Sequence, residues 1–168
     1  MEETRRDLEE LQRVLDDSYE RAGPHLREVI TPERRLGAGP LAAVLTGMRL
    51  LVLATVTKDG RPICGPVDGI FYRGRFYFGS SPHSVRFKHI AERPSVSATH
   101  LPGEELSVTV HGRARVVDLS SPEHTGFRGA LVGVYVPRYG PSWEEFLDRG
   151  PVYARIDPDR MYTFFMSP

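Results

Sequence analysis

Cysteine is almost absent from this chain. Cys64 is the single cysteine among 168 residues, so no disulfide can form within the chain. Proteins of this kind are typical of a reducing compartment, and we expect a cytoplasmic location. No apolar run approaches the roughly 20 residues that span a bilayer. The acidic N-terminal stretch also lacks the apolar core of a secretory signal, so neither export nor membrane insertion is predicted.

An excess of either charge is also missing. Lysine and arginine total 22, aspartate and glutamate total 22, and the formal net charge at pH 7 is +0. This balance predicts neither a broad basic surface for nucleic acid nor a polybasic patch for membranes. Hydrophobic residues make up 40% and charged residues 26%, as in an ordinary globular domain with a core.

Motifs that identify common catalytic sites are not found. None of the six histidines has the close spacing of metal ligands, so we predict no metal site. No GxGxxG, P-loop, HExxH or nucleophile-elbow pattern occurs. Cys64 is interpreted as a small buried thiol rather than a nucleophile. The sequence therefore identifies no catalytic residue.

Hydrophobic periodicity changes along the chain. Apolar residues recur at helical spacing from Thr4 to Ala22, and Gly23-Pro24 ends that helix. A short apolar helix is predicted from Leu41 to Met48, after a break at 37–40. From Leu51 the pattern is typical of strands. We expect a helical N-terminal extension over residues 1–40 and one domain over residues 41–168.

Six or seven strands are predicted, mostly in hairpin order. They cover residues 51–57, 62–72, 75–78, 95–101, 106–118, 152–156 and 161–165. Asp59-Gly60 predicts a two-residue hairpin, and residues 157–160 a turn between the last two strands. Helices are predicted from Ser84, from Ser121 to Val136, and from Ser142, which begins a capping-box pattern. This order favours a mainly β, α+β fold, an antiparallel barrel with peripheral helices.

Two groups of side chains have more than one interpretation. His111, Arg113 and Arg115 share one face of a predicted strand, which is either solvated or a wall for a substrate or a second subunit. Tyr139 and Trp143 are interpreted as residues that pack a helix rather than stack on a substrate.

A basic turn follows the strand that ends near Phe78. Ser84 is a suitable N-cap, because its hydroxyl can accept a free backbone N–H of the first helical turn. That turn normally favours acidic residues, yet it carries Arg86 and Lys88 and no acid. A bound phosphate would remove the conflict, since serine hydroxyls and a guanidinium bind phosphate well. The alternative interpretation is a solvated helix.

The order of these segments resembles the FMN-binding split barrels related to pyridoxamine 5'-phosphate oxidase, including relatives that use a deazaflavin coenzyme. The resemblance lies in residues 53–62, 66–69, 75–81, 84–90, 93–97 and 154–162. It implies a homodimer with two cofactor sites at the subunit interface. The positions expected along the isoalloxazine ring are Gly65, Pro66, Val67 and Asp68. Those expected near the ribityl chain or phosphate are Ser80 and Ser81, and the phosphate-binding segment is Ser84, Arg86 and Lys88.

The function implied by the resemblance is that of an oxidoreductase which binds FMN or a deazaflavin and transfers hydride to or from a small organic molecule. Val85 stands where the family often has a basic residue. That departure favours an alternative, a non-catalytic flavin-binding or sensing module. A second alternative is a haem-handling split-barrel protein that uses His83 or His89.

Overall fold

The computed structural model describes residues 3–166 and consists of six strands and six α-helices in that range. The strands are β1 (Met48–Val56), β2 (Pro62–Tyr72), β3 (Arg75–Ser80), β4 (Ser95–His100), β5 (Leu106–Val117) and β6 (Val152–Phe165). The helices are α1 (Arg5–Glu20), α2 (Pro24–Val29), α3 (Ala38–Val44), α4 (Val85–Glu92), α5 (Thr125–Tyr139) and α6 (Ser142–Asp148). None of the helices described is long and apolar enough to cross a bilayer.

The six strands close into a barrel in the order β1-β2-β3-β6-β5-β4, and every neighbouring pair is antiparallel. Alternate residues point into the barrel, where Leu51, Phe76, Phe78 and Val108 are almost completely buried. The predicted mainly β antiparallel barrel with peripheral helices is therefore confirmed, with six strands.

Helix α1 packs into the same core as the barrel. Leu11 and Leu15 on its apolar face are buried within the barrel's hydrophobic cluster. The Tyr19 hydroxyl donates to the backbone oxygen of Thr163 at 2.8 Å and accepts from the Thr163 backbone N–H at 2.9 Å. Because these bonds attach α1 to β6, residues 3–40 and the barrel share one core. The domain boundary near residue 40 stays a prediction.

A second hydrophobic cluster lies outside the barrel. Helices α5 and α6 cover β2, β3 and β6 there, with Phe127 of α5 stacked on Tyr77 of β3 at a centroid distance of 4.0 Å. Leu131 and Leu147 complete the contact from the helices. The two helices thus form a layer over one side of the barrel, and this layer provides one wall of the candidate site.

The predicted turn at residues 157–160 is wrong, because β6 is one continuous strand of 14 residues. On β5, His111 pairs with Arg160 while its neighbour Gly112 pairs with Pro158. Asp159 is therefore the additional residue of a β-bulge. A bulge accommodates Pro158, which has no N–H for the ladder, so that the Asp-Pro-Asp sequence bends the strand without ending it.

Three local details also differ from expectation. The connection between β1 and β2 spans residues 57–61, and the hydrogen bond from Thr57 N–H to the Arg61 carbonyl encloses three residues, 58–60, rather than the two expected. Gly60 in this loop has a positive φ of 84°. Helix α3 begins at Ala38 rather than at Leu41, so its first turn includes the predicted break. Helix α6 has Pro141 as its N-cap, and Ser142 makes no capping bond.

Candidate functional site

A cavity of about 550 Å³, here called the aromatic cavity, lies between the barrel wall and helices α5 and α6. Its barrel side consists of Pro66, Val67 and Asp68 from β2, and of Gly79, Ser80 and Ser81 at the end of β3. Its helix side consists of Tyr135, Tyr139, Trp143 and Phe146, with Arg149 after α6. Tyr153 of β6 also lines it.

A smaller cavity of about 230 Å³, here called the thiol cavity, lies beside the start of α4. It is lined by Gly65, Cys64, Ser84 and Val85, among others, and it shares Ser80 and Arg86 with the aromatic cavity. Cys64 is exposed, so its interpretation as a buried thiol is wrong. In the alternation of β2, Cys64 is on the outer face, which it shares with the exposed residues Pro62 and Pro66.

Arg86 lies where the two cavities meet. Its Nη2 donates to the Pro66 carbonyl at 3.2 Å, and partial burial lowers the pKa of its guanidinium. The hydroxyl of Ser84 accepts from the Phe87 backbone N–H at 3.4 Å, which confirms Ser84 as the N-cap of α4. The first turn of α4 contains no acidic residue. A guanidinium and serine hydroxyls therefore face the cavities without a neighbouring carboxylate on that turn.

Most of the predicted cofactor residues come together around Ser80 and Arg86. Pro66, Val67, Asp68 and Ser81 line the aromatic cavity, and Gly65 and Ser84 line the thiol cavity. Lys88 does not join them: it is exposed on α4 and lines neither cavity. Its role at a phosphate stays a prediction.

The helix side of the aromatic cavity, formed by Tyr135, Tyr139, Trp143 and Phe146 and here called the aromatic wall, is the part of the site that sequence analysis missed. Trp143 stacks on Tyr135 with ring centroids 4.6 Å apart and an interplanar angle of 20°. Tyr139 and Trp143 were expected only to pack a helix, and they also line the cavity. Tyr135 and Tyr139 are four residues apart on one face of α5, and Trp143 follows Tyr139 by another four residues, in α6 beyond Gly140. This four-residue spacing is the sequence pattern that could have indicated the aromatic wall.

Asp68 connects the barrel side to this wall. Its Oδ2 accepts a hydrogen bond from the Tyr135 hydroxyl at 3.2 Å. Burial, and then the Asp68 carboxylate, raise the pKa of Tyr153 to about 12. The same two causes raise the pKa of Tyr135. Both phenols therefore keep their protons at neutral pH, and each can donate a hydrogen bond.

Gly79 allows the Tyr153 ring to lie against β3. A Cβ atom at Gly79 would be 2.6 Å from a ring carbon of Tyr153, which is closer than real Cβ contacts. The missing side chain therefore places Tyr153 in the cavity lining.

The residues of the two cavities suit a flavin phosphate and ring. A guanidinium and three serine hydroxyls are the donors that a phosphate prefers. Aromatic and apolar surface, with few polar groups, is what a flat conjugated ring requires. Among residues 3–166, no group of three or more His, Cys, Asp or Glu side chains is arranged to hold a metal ion.

Comparison with known families agrees with this geometry. Residues 40–150 match the family model described as pyridoxamine 5'-phosphate oxidase. The chain belongs to the pyridoxamine 5'-phosphate oxidase family. The resemblance stated from the sequence is therefore confirmed, and the match covers both cavities except for Pro151 and Tyr153. No functionally curated protein matches the chain significantly.

Solved structures similar to this family member show the same fold. A conserved hypothetical protein of Mycobacterium tuberculosis has a TM-score of 0.64 and 19% identity, covering 80% of this chain and 88% of that one. An FAD-binding protein of Mesorhizobium loti has a TM-score of 0.58 and 22% identity, and the match covers 80% of this chain and 97% of that one. The haem storage protein HutZ of Vibrio cholerae has a TM-score of 0.57 and 18% identity, and the match covers 70% of this chain and 85% of that one. At these identities the likeness shows the split-barrel fold alone.

Proposed function

We propose that this chain binds a flavin-type cofactor, FMN or a deazaflavin coenzyme, and transfers hydride to or from a small organic molecule. The observation that supports this most directly is the position of Arg86, whose guanidinium lies at the junction of two cavities that contain nearly all the expected cofactor residues. Membership of the pyridoxamine 5'-phosphate oxidase family supports the same proposal.

Each group of residues has a specific task in this proposal. Ser80, Ser81, Ser84 and Arg86 hold the phosphate, and residues 65–68 lie along the ring. When bound, the cofactor supplies the hydride chemistry, so the protein needs no nucleophile of its own. The aromatic wall excludes water from the ring, and Tyr135 keeps the carboxylate of Asp68 oriented through their hydrogen bond.

A homodimer is part of the proposal. The outer face of β1 carries Leu50 and Val52, which are 58% and 51% exposed. Side-chain pairs on β4 and β5 continue this face, with Ser97 bonded to His111 and Thr99 to Thr109. Exposed apolar residues beside ordered polar pairs are typical of protein interfaces. A second subunit on this face would cover Pro66, which pairs with Val52 across the ladder.

The absorbance spectrum of the purified protein tests cofactor binding. A yellow protein that releases FMN on denaturation, identified by mass, supports FMN. A colourless protein that changes the fluorescence of an added deazaflavin at micromolar concentration supports the deazaflavin. If neither cofactor binds at that concentration, the proposal is wrong.

Two further measurements separate the alternatives. A bound flavin that no nicotinamide or deazaflavin donor reduces would indicate a binding or sensing module. A Soret band on haemin titration, lost when His83 or His89 is replaced, would indicate haem handling. The described geometry favours haem less, because no histidine among residues 3–166 lines either cavity and Nδ1 of His89 is hydrogen-bonded with Thr55.

A further inference from the structure

A third cavity, of about 720 Å³, lies against the N-terminal helices and is here called the helix cavity. Its lining from α1 recurs at three- and four-residue spacing, which places the side chains on one helical face: Gln12, Leu15, Asp16, Tyr19 and Glu20. Arg27 of α2 and residues 35–37 complete the lining. All of these residues precede residue 40, where the match to the pyridoxamine 5'-phosphate oxidase model begins. The helix cavity therefore lies outside the matched region and outside the proposed cofactor site.

Two arginines and two acids line the helix cavity, and none of the four is in an ion pair within residues 3–166: Arg27, Arg35, Asp16 and Glu20. Elsewhere on α1, charged side chains do pair, Arg5 with Glu9 at 2.9 Å and Arg21 with Asp17 at 3.5 Å. The charges around the helix cavity thus cancel in sum without being joined to one another, so each remains available to a ligand.

Backbone carbonyls, rather than carboxylates, hold both guanidiniums. Nη2 of Arg27 donates to the carbonyl of Glu20 at the C-terminal end of α1, where the helix dipole favours a cation. Nε of Arg35 donates to the Ile30 carbonyl at 3.2 Å, and its guanidinium lies 4.1 Å from the centroid of the Tyr19 ring. The two Nη atoms of Arg35 have no acceptor among residues 3–166. They are the paired donors that bind a carboxylate through two parallel hydrogen bonds.

Gln12 orients one of the two carboxylates. Its Nε2 donates to Oδ1 of Asp16 at 2.8 Å, and its Oε1 accepts from the Ala38 backbone N–H at 2.9 Å. Gly37 permits this close packing, because a Cβ atom there would be 3.1 Å from Oε1 of Gln12. Oδ2 of Asp16 and the carboxylate of Glu20, one helical turn further along, have no donor within the described residues. The helix cavity therefore has free acceptors along α1 as well as the two guanidiniums.

We propose that the helix cavity binds a small zwitterion of the amino-acid class, with its carboxylate on Arg27 and Arg35 and its ammonium group on Asp16 and Glu20. A ligand with only a negative group would satisfy the guanidiniums but face two carboxylates, and a ligand with only a positive group would face the reverse. A molecule that carries both groups satisfies both, and the two leucines of the lining contact the apolar chain between them. This binding does not depend on the proposed flavin function.

Three probes that share a five-carbon chain and differ in their charged ends test the preference: 5-aminopentanoate, pentanoate and pentylamine. We suggest titrating each into ¹⁵N-labelled protein at neutral pH and constant ionic strength, because salt screens exposed charges. The backbone amide signals of residues 12–20 and 35–38 report both the location of binding and the dissociation constant. 5-Aminopentanoate should shift these signals and bind at least about tenfold more tightly than either singly charged probe.

Arg35 and its neighbour Arg34 provide a matched pair of variants. Arg34 also donates to a backbone carbonyl, that of Val29, at 3.2 Å, and also lies over an aromatic ring, that of Phe164, but it does not line the helix cavity. Arg35→Gln should reduce the affinity for 5-aminopentanoate to that for pentylamine. Arg34→Gln removes an equal charge with similar contacts and should retain the wild-type affinity.

Glu20 and Glu28 provide the corresponding pair for the ammonium group. Glu20→Gln should weaken binding of 5-aminopentanoate at least about threefold, whereas Glu28→Gln, at an exposed position of α2 outside the helix cavity, should not change it. The proposal is overturned if pentanoate or pentylamine binds as tightly as 5-aminopentanoate, if Arg34→Gln has the effect of Arg35→Gln, or if no probe shifts the amide signals of the cavity at millimolar concentration. The comparison of probes on the wild type remains decisive even if a variant does not fold.

Discussion

The guanidinium of Arg86 donates to the backbone carbonyl of Pro66 across a distance of 3.2 Å. This bond joins the first turn of α4 to the outer edge of β2, twenty residues earlier in the chain. It places a positive charge between the two cavities and beside the segment expected to contact a flavin ring. In the proposed function, Arg86 thus connects the residues assigned to the phosphate with those assigned to the ring.

Replacing Arg86 by glutamate should weaken binding of FMN or a deazaflavin by more than about 1.4 kcal/mol, a factor of ten, because it removes a charge-assisted contact and adds repulsion. Titration followed by cofactor fluorescence measures the dissociation constant. Lys58→Glu is the control, since it reverses a charge at an exposed position of the β1–β2 loop that lines neither cavity. Equal losses in the two variants would contradict the placement of the phosphate at Arg86.

Local sequence chemistry predicted the parts of the site that depend on neighbouring residues. The N-cap at Ser84 was predicted from its hydroxyl. The basic first turn of α4 was predicted from the order of the residues that follow Ser84. The turn between the predicted strands 62–72 and 75–78 is likewise local, and its two residues, Arg73 and Gly74, have positive φ. Such features are encoded within a few residues and do not depend on how distant segments pack.

The aromatic wall could not be predicted in the same way. Tyr135 and Trp143 are more than sixty residues from Asp68 in the sequence, and their arrangement depends on α5 and α6 packing against the outside of β2 and β3. The length of β6 was missed for a related reason. Asp157 to Arg160 has the composition of a turn, but pairing with β5 holds it as a bulge.

Gly112 faces that bulge, and replacing it by alanine should destabilise the protein. A Cβ atom there would overlap the backbone oxygen of Asp157, and a backbone atom cannot move aside as a side chain can. We expect a loss of about 1–3 kcal/mol in the free energy of unfolding, measured by urea denaturation. Gly129→Ala in α5 is the control, because no atom lies within 4 Å of its added Cβ. It should leave stability unchanged or raise it by up to about 1 kcal/mol.

The buried tyrosine next to Asp68 predicts a loss of stability in alkali. Burial and Asp68 raise the pKa of Tyr153 to about 12, whereas an unfolded tyrosine titrates near pH 10. The stability due to the neutral phenol is therefore complete below about pH 10 and is lost as the pH rises towards the folded value. Between about pH 10 and pH 12, the free energy of unfolding should fall by about 1–2 kcal/mol less in Tyr153→Phe than in the wild type.

Urea denaturation at several alkaline pH values measures this difference. Tyr139→Phe removes a hydroxyl from a half-exposed ring of the same cavity and serves as the comparison. Identical pH profiles for Tyr153→Phe and the wild type would show that the Tyr153 phenol does not contribute to the alkaline loss.

The proposed dimer predicts that a charge on the outer face of β1 disrupts both assembly and cofactor binding. Val52 is 51% exposed and pairs with Pro66, so Val52→Glu would bury a carboxylate in the interface beside the proposed ring site. Sedimentation should show a dimer for the wild type at micromolar concentration and a monomer for Val52→Glu, with weaker binding of the cofactor. Val29→Glu, at a 40% exposed apolar position on α2, should remain a dimer. A monomeric wild type, or a dimeric Val52→Glu with unchanged cofactor affinity, would exclude this face as the interface.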